Sequence, residues 1–458
     1  MFPHKPSNLI VLALCFCFVF TSVSPFALAQ KKTAPVEATP PPVKENFKFG
    51  EVDLEVLEQA DLLDTRFERD GLVLADEAAN AYLRRVGKSL IPRDLELERV
   101  SWKFRALRDP QPNAFALPNG SIYVTTGLLT LIDNESQLAA ILAHEVTHVM
   151  GRHSYLHNRS NRKKFLTMNV MAAVGAYAPG GFVGAAIIIA TTVAPFIMMA
   201  TIYGYSRELE RDADHRGIDM MISAEYPPEE LVNVLKVLDK DMEGENIRLF
   251  YNDHPALDER IKYLSNYLGG RADKVTPQME LNRERAAYFR NMESVMRHNI
   301  PLAINAGRTR SAVYLAQRLV DFHDDSQNLF LLAEAYRALG PRTPQLTEQE
   351  LTNSAKKAAA KKREKRTAEE EERELLATPG GKDNWEKHQH MAEQLYRRAL
   401  NAEKPAPVAH RGLGMLYEKL GRGSDAAAEY EKYLELSPSA TDRERIQRRI
   451  EAIKEKLK

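Results

Sequence analysis

Leu138–Met150 reads LAAILAHEVTHVM. It sets His144, Glu145 and His148 in the middle of an apolar stretch. On a helix, residues four apart face the same way, with Cβ atoms about 6 Å apart. The imidazoles of His144 and His148 can therefore reach one ion at about 2.0–2.1 Å. Glu145 points aside from that axis, where it can hold a water beside the ion. This is the H-E-x-x-H spacing of zinc peptidases. Asn134 or Asp133 stands where a cap for the helix is needed, with Ser136 and Gln137 in its first turn.

Two imidazoles leave a metal short of ligands, and the chain offers carboxylates downstream. Phe165–Ser206 holds no Asp, Glu, Lys or Arg. Overlapping its end, Tyr205–Met221, YSRELERDADHRGIDMM, has an amphipathic helical pattern. Glu210 and Asp214 are four apart, hence on one face. One could bind the metal while the other accepts a hydrogen bond from the second ring nitrogen of a ligand histidine, fixing its tautomer. Arg207, one turn before Glu210, could neutralise spare carboxylate charge. A charge cluster of this kind is usually a solvated face; its position after a long uncharged run, on a chain with H-E-x-x-H, favours the site.

The 458 residues suggest two or three domains. Lys+Arg and Asp+Glu both number 63, so the formal net charge is zero, which speaks against nucleic acid as a partner. Residues 1–29 have the layout of a secretory signal peptide: Lys5, an apolar core Leu9–Phe20, then Ala27-Leu28-Ala29. That core is 12 residues long, short of the about 20 a membrane span needs. Both cysteines, Cys15 and Cys17, lie inside it, so a cleaved chain must build any metal site from His, Asp or Glu. Cleavage would leave a periplasmic or secreted protein. Residues 30–48, rich in Pro and charge, read as a flexible linker.

Residues 49–275 carry the motifs. Helical patterns fill their first part. SWKFRAL and SIYVTT then alternate as strands, with Pro118-Asn119-Gly120 as a turn, which predicts a small antiparallel sheet. An edge strand at Asn113, Ala114 and Phe115 could pair with an extended substrate backbone. The run 165–206 reads as helices buried in protein or resting on a membrane surface; a true span, and with it an integral membrane protease, is the weaker alternative.

From residue 290 to 458 the pattern is helical and repeating. Leu413, Gly414, Tyr417, Ala426, Tyr430 and Pro438 fit the 34-residue tetratricopeptide spacing. Leu332, Ala333, Tyr336 and Gly340 fit the first helix of an earlier repeat, and Ala392, Tyr396 and Ala399 its second. A charged insertion over 341–384 separates them. Ala312, Ala316 and Leu319 suggest a weaker repeat before. The fold class is therefore α+β: a mostly helical domain with a small sheet, followed by an all-α repeat domain.

NAFALPNGSIYVTTGLL, ESQLAAILAHEVTHVMGRH and SRELERDAD, in that order, resemble the zinc peptidase family of the membrane protease HtpX and the mitochondrial protease Oma. Signal peptide, peptidase domain and C-terminal repeats together are most similar to its periplasmic members, proteases and chaperones of outer-membrane protein assembly. The resemblance implies a zincin-type (gluzincin) fold for the first domain and one Zn2+ per chain on His144, His148 and Glu210, with Glu145 as catalytic base and Asp214 behind the ligands. It implies that the chain cleaves unfolded protein or peptide while its repeats dock a protein partner, such as outer-membrane assembly machinery. A chaperone or scaffold with a weakly active peptidase domain is the alternative. In such members a histidine before proline regulates the site; the match is His254, whose place before Pro255 suits a projecting loop side chain, and a loop histidine that instead steadies the transition-state oxygen is the alternative.

Overall fold

The computed structural model describes residues 47–93, 95–159, 205–244, 257–269, 276–341, 373, 375–378 and 380–457. The signal peptide, nearly all of the linker, residues 160–204, His254 and most of the charged insertion lie outside the described residues.

Ser121–Thr125 is buried at all five positions, and this orders the sheet. Lys103–Leu107 (β1), Ala114–Ala116 (β2) and Ser121–Thr125 (β3) form a three-stranded sheet in the order β1-β3-β2. β3 pairs antiparallel with β2, Phe115 opposite Tyr123, and parallel with β1, Arg105 opposite Tyr123. The expected antiparallel sheet is thus mixed. The hairpin itself forms at Pro118-Asn119-Gly120. Gly120 has φ +94°, and a Cβ there would lie 2.9 Å from the Ser101 carbonyl oxygen. Chain-neighbour reasoning missed the insertion of β3 between its predecessors, which covers both edges of the most buried strand.

Before the sheet come α1 (Glu51–Arg69) and α2 (Glu77–Leu90); α3 (Thr126–Leu131) and α4 (Glu135–Met150) follow it. Asn134 caps α4, its Oδ1 accepting the Gln137 N–H at 2.9 Å. Every residue of α4 from Ser136 to Met150 is buried, its polar residues included. α5 (Arg207–Ser223) runs against it. Their approach is close enough that a Cβ at Gly217 would lie 3.4 Å from the His144 amide nitrogen. α6 (Glu229–Gly244) and α7 (Leu257–Leu268) pack on each other, and α6 packs on α4. α8 (Pro277–Asn282) leads on towards the C-terminal helices, and its Asn282 carbonyl accepts from Ser136 Oγ at 2.9 Å.

The remaining helices are α9 (Arg285–Asn305), α10 (Thr309–Phe322), α11 (Ser326–Leu339), α12 (Gly381–Asn401), α13 (Val408–Lys419), α14 (Gly423–Leu436) and α15 (Arg443–Lys456). Successive helices pack pairwise. Small residues meet rings between them: a Cβ at Gly412 would lie 2.4 Å from the Tyr396 ring, and one at Gly414 2.5 Å from Tyr430. One apolar core runs from Leu74 through to Ile453. Among the described residues no helix is long and apolar enough to cross a membrane.

Candidate metal centre

α4 and α5 bring three side chains to one point. His144 Nε2 and His148 Nε2 are 3.1 Å apart, and each lies 3.6 Å from an oxygen of Glu210. All three side chains are buried. The other ring nitrogens are engaged elsewhere. His144 Nδ1 lies 3.0 Å from Asp214 Oδ1, and His148 Nδ1 lies 2.9 Å from His153 Nδ1. A proton on each Nδ1 satisfies both contacts and leaves two nitrogen lone pairs facing a carboxylate. A cation bound at the point of convergence would satisfy both nitrogens and the carboxylate together. Four ligands held tetrahedrally at about 2.0–2.1 Å stand about 3.3 Å from one another. The two nitrogens, 3.1 Å apart, match that spacing, and the Glu210 carboxylate straddles the same point with one oxygen 3.6 Å from each.

Asp214 is fully buried and tied from three sides. Arg260 of α7 donates to both of its oxygens, at 2.6 and 3.0 Å, and the Tyr263 hydroxyl donates as well. Burial pushes its carboxyl up, but the Arg260 charge and the bonds from His144 and Arg260 outweigh this and hold it well below the usual range. Arg260 Nη1 also stands 3.5 Å from Glu210. The neutralising cation is thus Arg260. Arg207, expected in that role, is 67% exposed and pairs with Glu259 at 3.4 Å. A helix turn of sequence separation suggested Arg207; α7, about fifty residues on, supplies the group.

Glu145 is buried on the wall of an open cleft, with His144 and Arg260. Its apolar lining comes from Leu128 and Ile141, from Leu231, Val234, Leu235 and Leu238 of α6, and from Leu257. Asn113 and Ala114 line the same cleft. Asn113 is taken by β3: its carbonyl accepts the Thr125 N–H at 2.8 Å and its N–H donates to Thr125 Oγ1 at 2.8 Å. Phe115 turns its side chain away, onto Phe67 and Tyr123. Antiparallel pairing alternates, so with Asn113 and Phe115 bonded to β3 the Ala114 N–H and C=O face outward. Of the expected strand, Asn113 and Ala114 line the cleft, and Ala114 has its backbone groups on the edge away from β3.

Residues 77–268 match the model of peptidase family M48. The chain carries a peptidase family M48 domain. The mitochondrial metalloendopeptidase OMA1 of Schizosaccharomyces pombe is 29% identical over 210 residues, 44% of this chain and 55% of that protein. The beta-barrel assembly-enhancing protease of Yersinia pestis is 26% identical over 217 residues, 45% of this chain and 41% of that protein. The match with OMA1 of Arabidopsis thaliana is 26% over 215 residues, 47% of this chain and 41% of that protein. The chain thus spans about half the length of the relatives it matches. The M48 domain is of the zinc metalloendopeptidase class, and His144, His148 and Glu210 fit its metal.

Within the M48 domain the sequence pattern missed Arg260, Tyr263, His153, Asp212 and Tyr205. The Tyr205 ring stacks on His148 with centroids 3.9 Å apart, its hydroxyl within 2.9 Å of Ser154 Oγ, and burial pushes the phenol pKa up. His254 lies outside the described residues. The helix that follows it, α7, supplies Leu257 and Arg260 to the cleft.

Proposed function

We propose that the protein is a zinc-dependent endopeptidase of the cell envelope, cleaving misfolded or stalled proteins, outer-membrane proteins among them. The observation that carries this is a three-ligand cluster opening, through Glu145, onto an apolar cleft with an outward-facing strand edge. Bound zinc supplies Lewis acidity and lowers the pKa of water to about 7. Glu145 accepts the proton of the attacking water on its carboxylate and returns it to the leaving amine nitrogen. The Ala114 N–H and C=O hold the substrate backbone extended, which needs no particular substrate sequence. Leu231, Val234, Leu235 and Leu238 receive an apolar side chain, a residue class that folded proteins hide and unfolded ones expose. Tetratricopeptide-type pairing in α11–α15 presents a face for a protein partner, for which the assembly role in the bacterial relative's name is a precedent.

Glu145→Gln keeps the shape and loses the base. It should retain one zinc per chain while cleavage of an unfolded outer-membrane protein falls by about 100-fold or more. Full cleavage by a pure preparation of the variant would remove Glu145 from the mechanism.

A further inference from the structure

We propose that His153, anchored by Asp212, is a positioning residue for His148. It fixes the His148 ring in the tautomer and orientation that aim Nε2 at the metal. The inference rests on the zinc reading of the cluster and extends it to a residue outside the ligand set.

His153 reaches His148 because α4 ends abruptly. Gly151 is its C-cap, and Arg152 follows with φ +56°, a region rarely used by residues other than glycine. The surroundings hold it there. Arg152 is buried, donates to the Glu98 carbonyl at 2.7 Å, and sits against the rings of Phe49 and Phe47 at 5.4 and 5.8 Å. The reversed chain lays the His153 ring across His148, centroids 5.0 Å apart and nearly perpendicular. A Cβ at Gly151 would stand 2.2 Å from His153 Nε2, so only glycine leaves the ring its place.

The hydrogen bonds admit one consistent direction. His148 can give Nε2 to a metal only with its proton on Nδ1. That proton is then donated to His153 Nδ1, 2.9 Å away. His153, accepting there, carries its own proton on Nε2 and donates it to Asp212 Oδ2 at 3.2 Å. Asp212 Oδ1 accepts from Arg216 Nε at 2.9 Å. His153 and Asp212 are 1% and 8% exposed, so water competes poorly for these bonds. His144 is served by Asp214 directly; His148 is served through an imidazole, which passes on the carboxylate's preference without its charge. Outer partners of this type change metal affinity by about 10–100-fold.

The test uses the full chain and three variants. His153→Phe removes the acceptor at similar volume, His153→Gln keeps an acceptor oxygen, and Gly151→Ala leaves His153 in sequence but displaces its ring. Zinc affinity is read by chelator competition, ligand geometry by the visible spectrum of the Co2+ form, and folding by far-ultraviolet circular dichroism. His153→Phe and Gly151→Ala should bind zinc about 10–100-fold more weakly with an altered Co2+ spectrum, and His153→Gln should recover much of the loss. Wild-type affinity and spectrum in folded His153→Phe or Gly151→Ala would overturn the proposal. Nitrogen-15 spectra of histidine in the metal-free wild type give a readout independent of zinc and of variant folding. They should show the His148 proton on Nδ1, and a proton on Nε2 sinks the proposal whatever the metal does. If His148→Ala leaves zinc binding unchanged, the zinc reading itself fails, which is a separate result.

Discussion

At the scale of single residues, Asp214 and Arg260 form the most demanding pair in the domain. Both are almost wholly buried, 0% and 5% exposed, and meet at 2.6 and 3.0 Å. Removing one member of such a pair strands the other charge, a loss of about 3–5 kcal/mol, whereas removing both costs much less. Arg260→Met should therefore lower unfolding free energy by about 3–5 kcal/mol, and Arg260→Met with Asp214→Asn should restore a large part of it. Urea unfolding of the four proteins at one fixed zinc concentration measures the coupling; additive losses would mean that the pair does not act as a unit. His144, Glu145 and His148 were legible in sequence because helical spacing alone decides which side chains share a face; spacing put Glu210 and Asp214 forward equally, and only the family resemblance singled out Glu210. Arg260 and His153 were not legible. One arrives from α7, brought in by tertiary packing. The other depends on a left-handed Arg152 that local propensity argues against.

At the scale of elements, the start of α4 and the sheet are fastened by carboxylates. Glu135, in the first turn of α4, accepts from Tyr82 at 2.7 Å, from Tyr226 at 2.9 Å and from Arg85 at 2.5 and 3.0 Å. Asp64 of α1 accepts from Tyr123 of β3 and Lys103 of β1. Burial pushes both carboxyls up, yet these donors and cations hold each below its ordinary value, 4.5 for Glu135 and 3.8 for Asp64. A carboxyl depressed in the folded state contributes stability that is present above its unfolded pKa and lost as pH falls through the lower folded value. Between pH 7 and 5 these two groups should leave stability flat; below about 4 the unfolding midpoint should fall steeply. Glu135→Gln should be less stable at pH 7 and show a shallower acid limb, as a urea titration at several pH values would reveal. An acid limb identical to wild type would exclude Glu135 as a fastener. The strands and the hairpin turn could be read from SIYVTT and Pro118-Asn119-Gly120, since alternation and turn chemistry are local. Strand order could not, because the placing of β3 between β1 and β2 is decided by what covers its two edges.

At the scale of the whole molecule, α9 and α10 serve the M48 fold as much as the helices after them. Tyr288 donates to the Leu129 carbonyl at 2.7 Å. Asn299 bridges Thr126 and Thr130 at 2.8 and 2.9 Å. Arg318 donates to the carbonyls of Thr130 and Ile132, at 2.8 and 3.3 Å, and to Asp133 at 2.6 Å. A short loop joins α3 to α4, so these bonds satisfy buried carbonyls just before the helix that carries His144 and His148. Repeat-like spacing in Ala312, Ala316 and Leu319 therefore describes helices that also complete the peptidase core, where all three are buried. A chain ending at Glu284 would bare those carbonyls together with the faces that Tyr288, Met292, Val295 and Met296 cover. Each buried polar group left without a partner costs about 1–3 kcal/mol, and several together approach the 5–15 kcal/mol by which a domain is stable. The 1–284 chain should be insoluble or unfold without cooperativity. A chain ending at Pro341, which keeps α9, α10 and α11, should fold, bind zinc and hydrolyse small peptides while losing partners that dock on the later repeats. Zinc content, melting cooperativity and peptide hydrolysis of the two truncations decide the matter. A soluble 1–284 protein with wild-type zinc binding and turnover would show that the peptidase core closes before α9, and that the Arg318 and Asn299 contacts only moor the repeats to it.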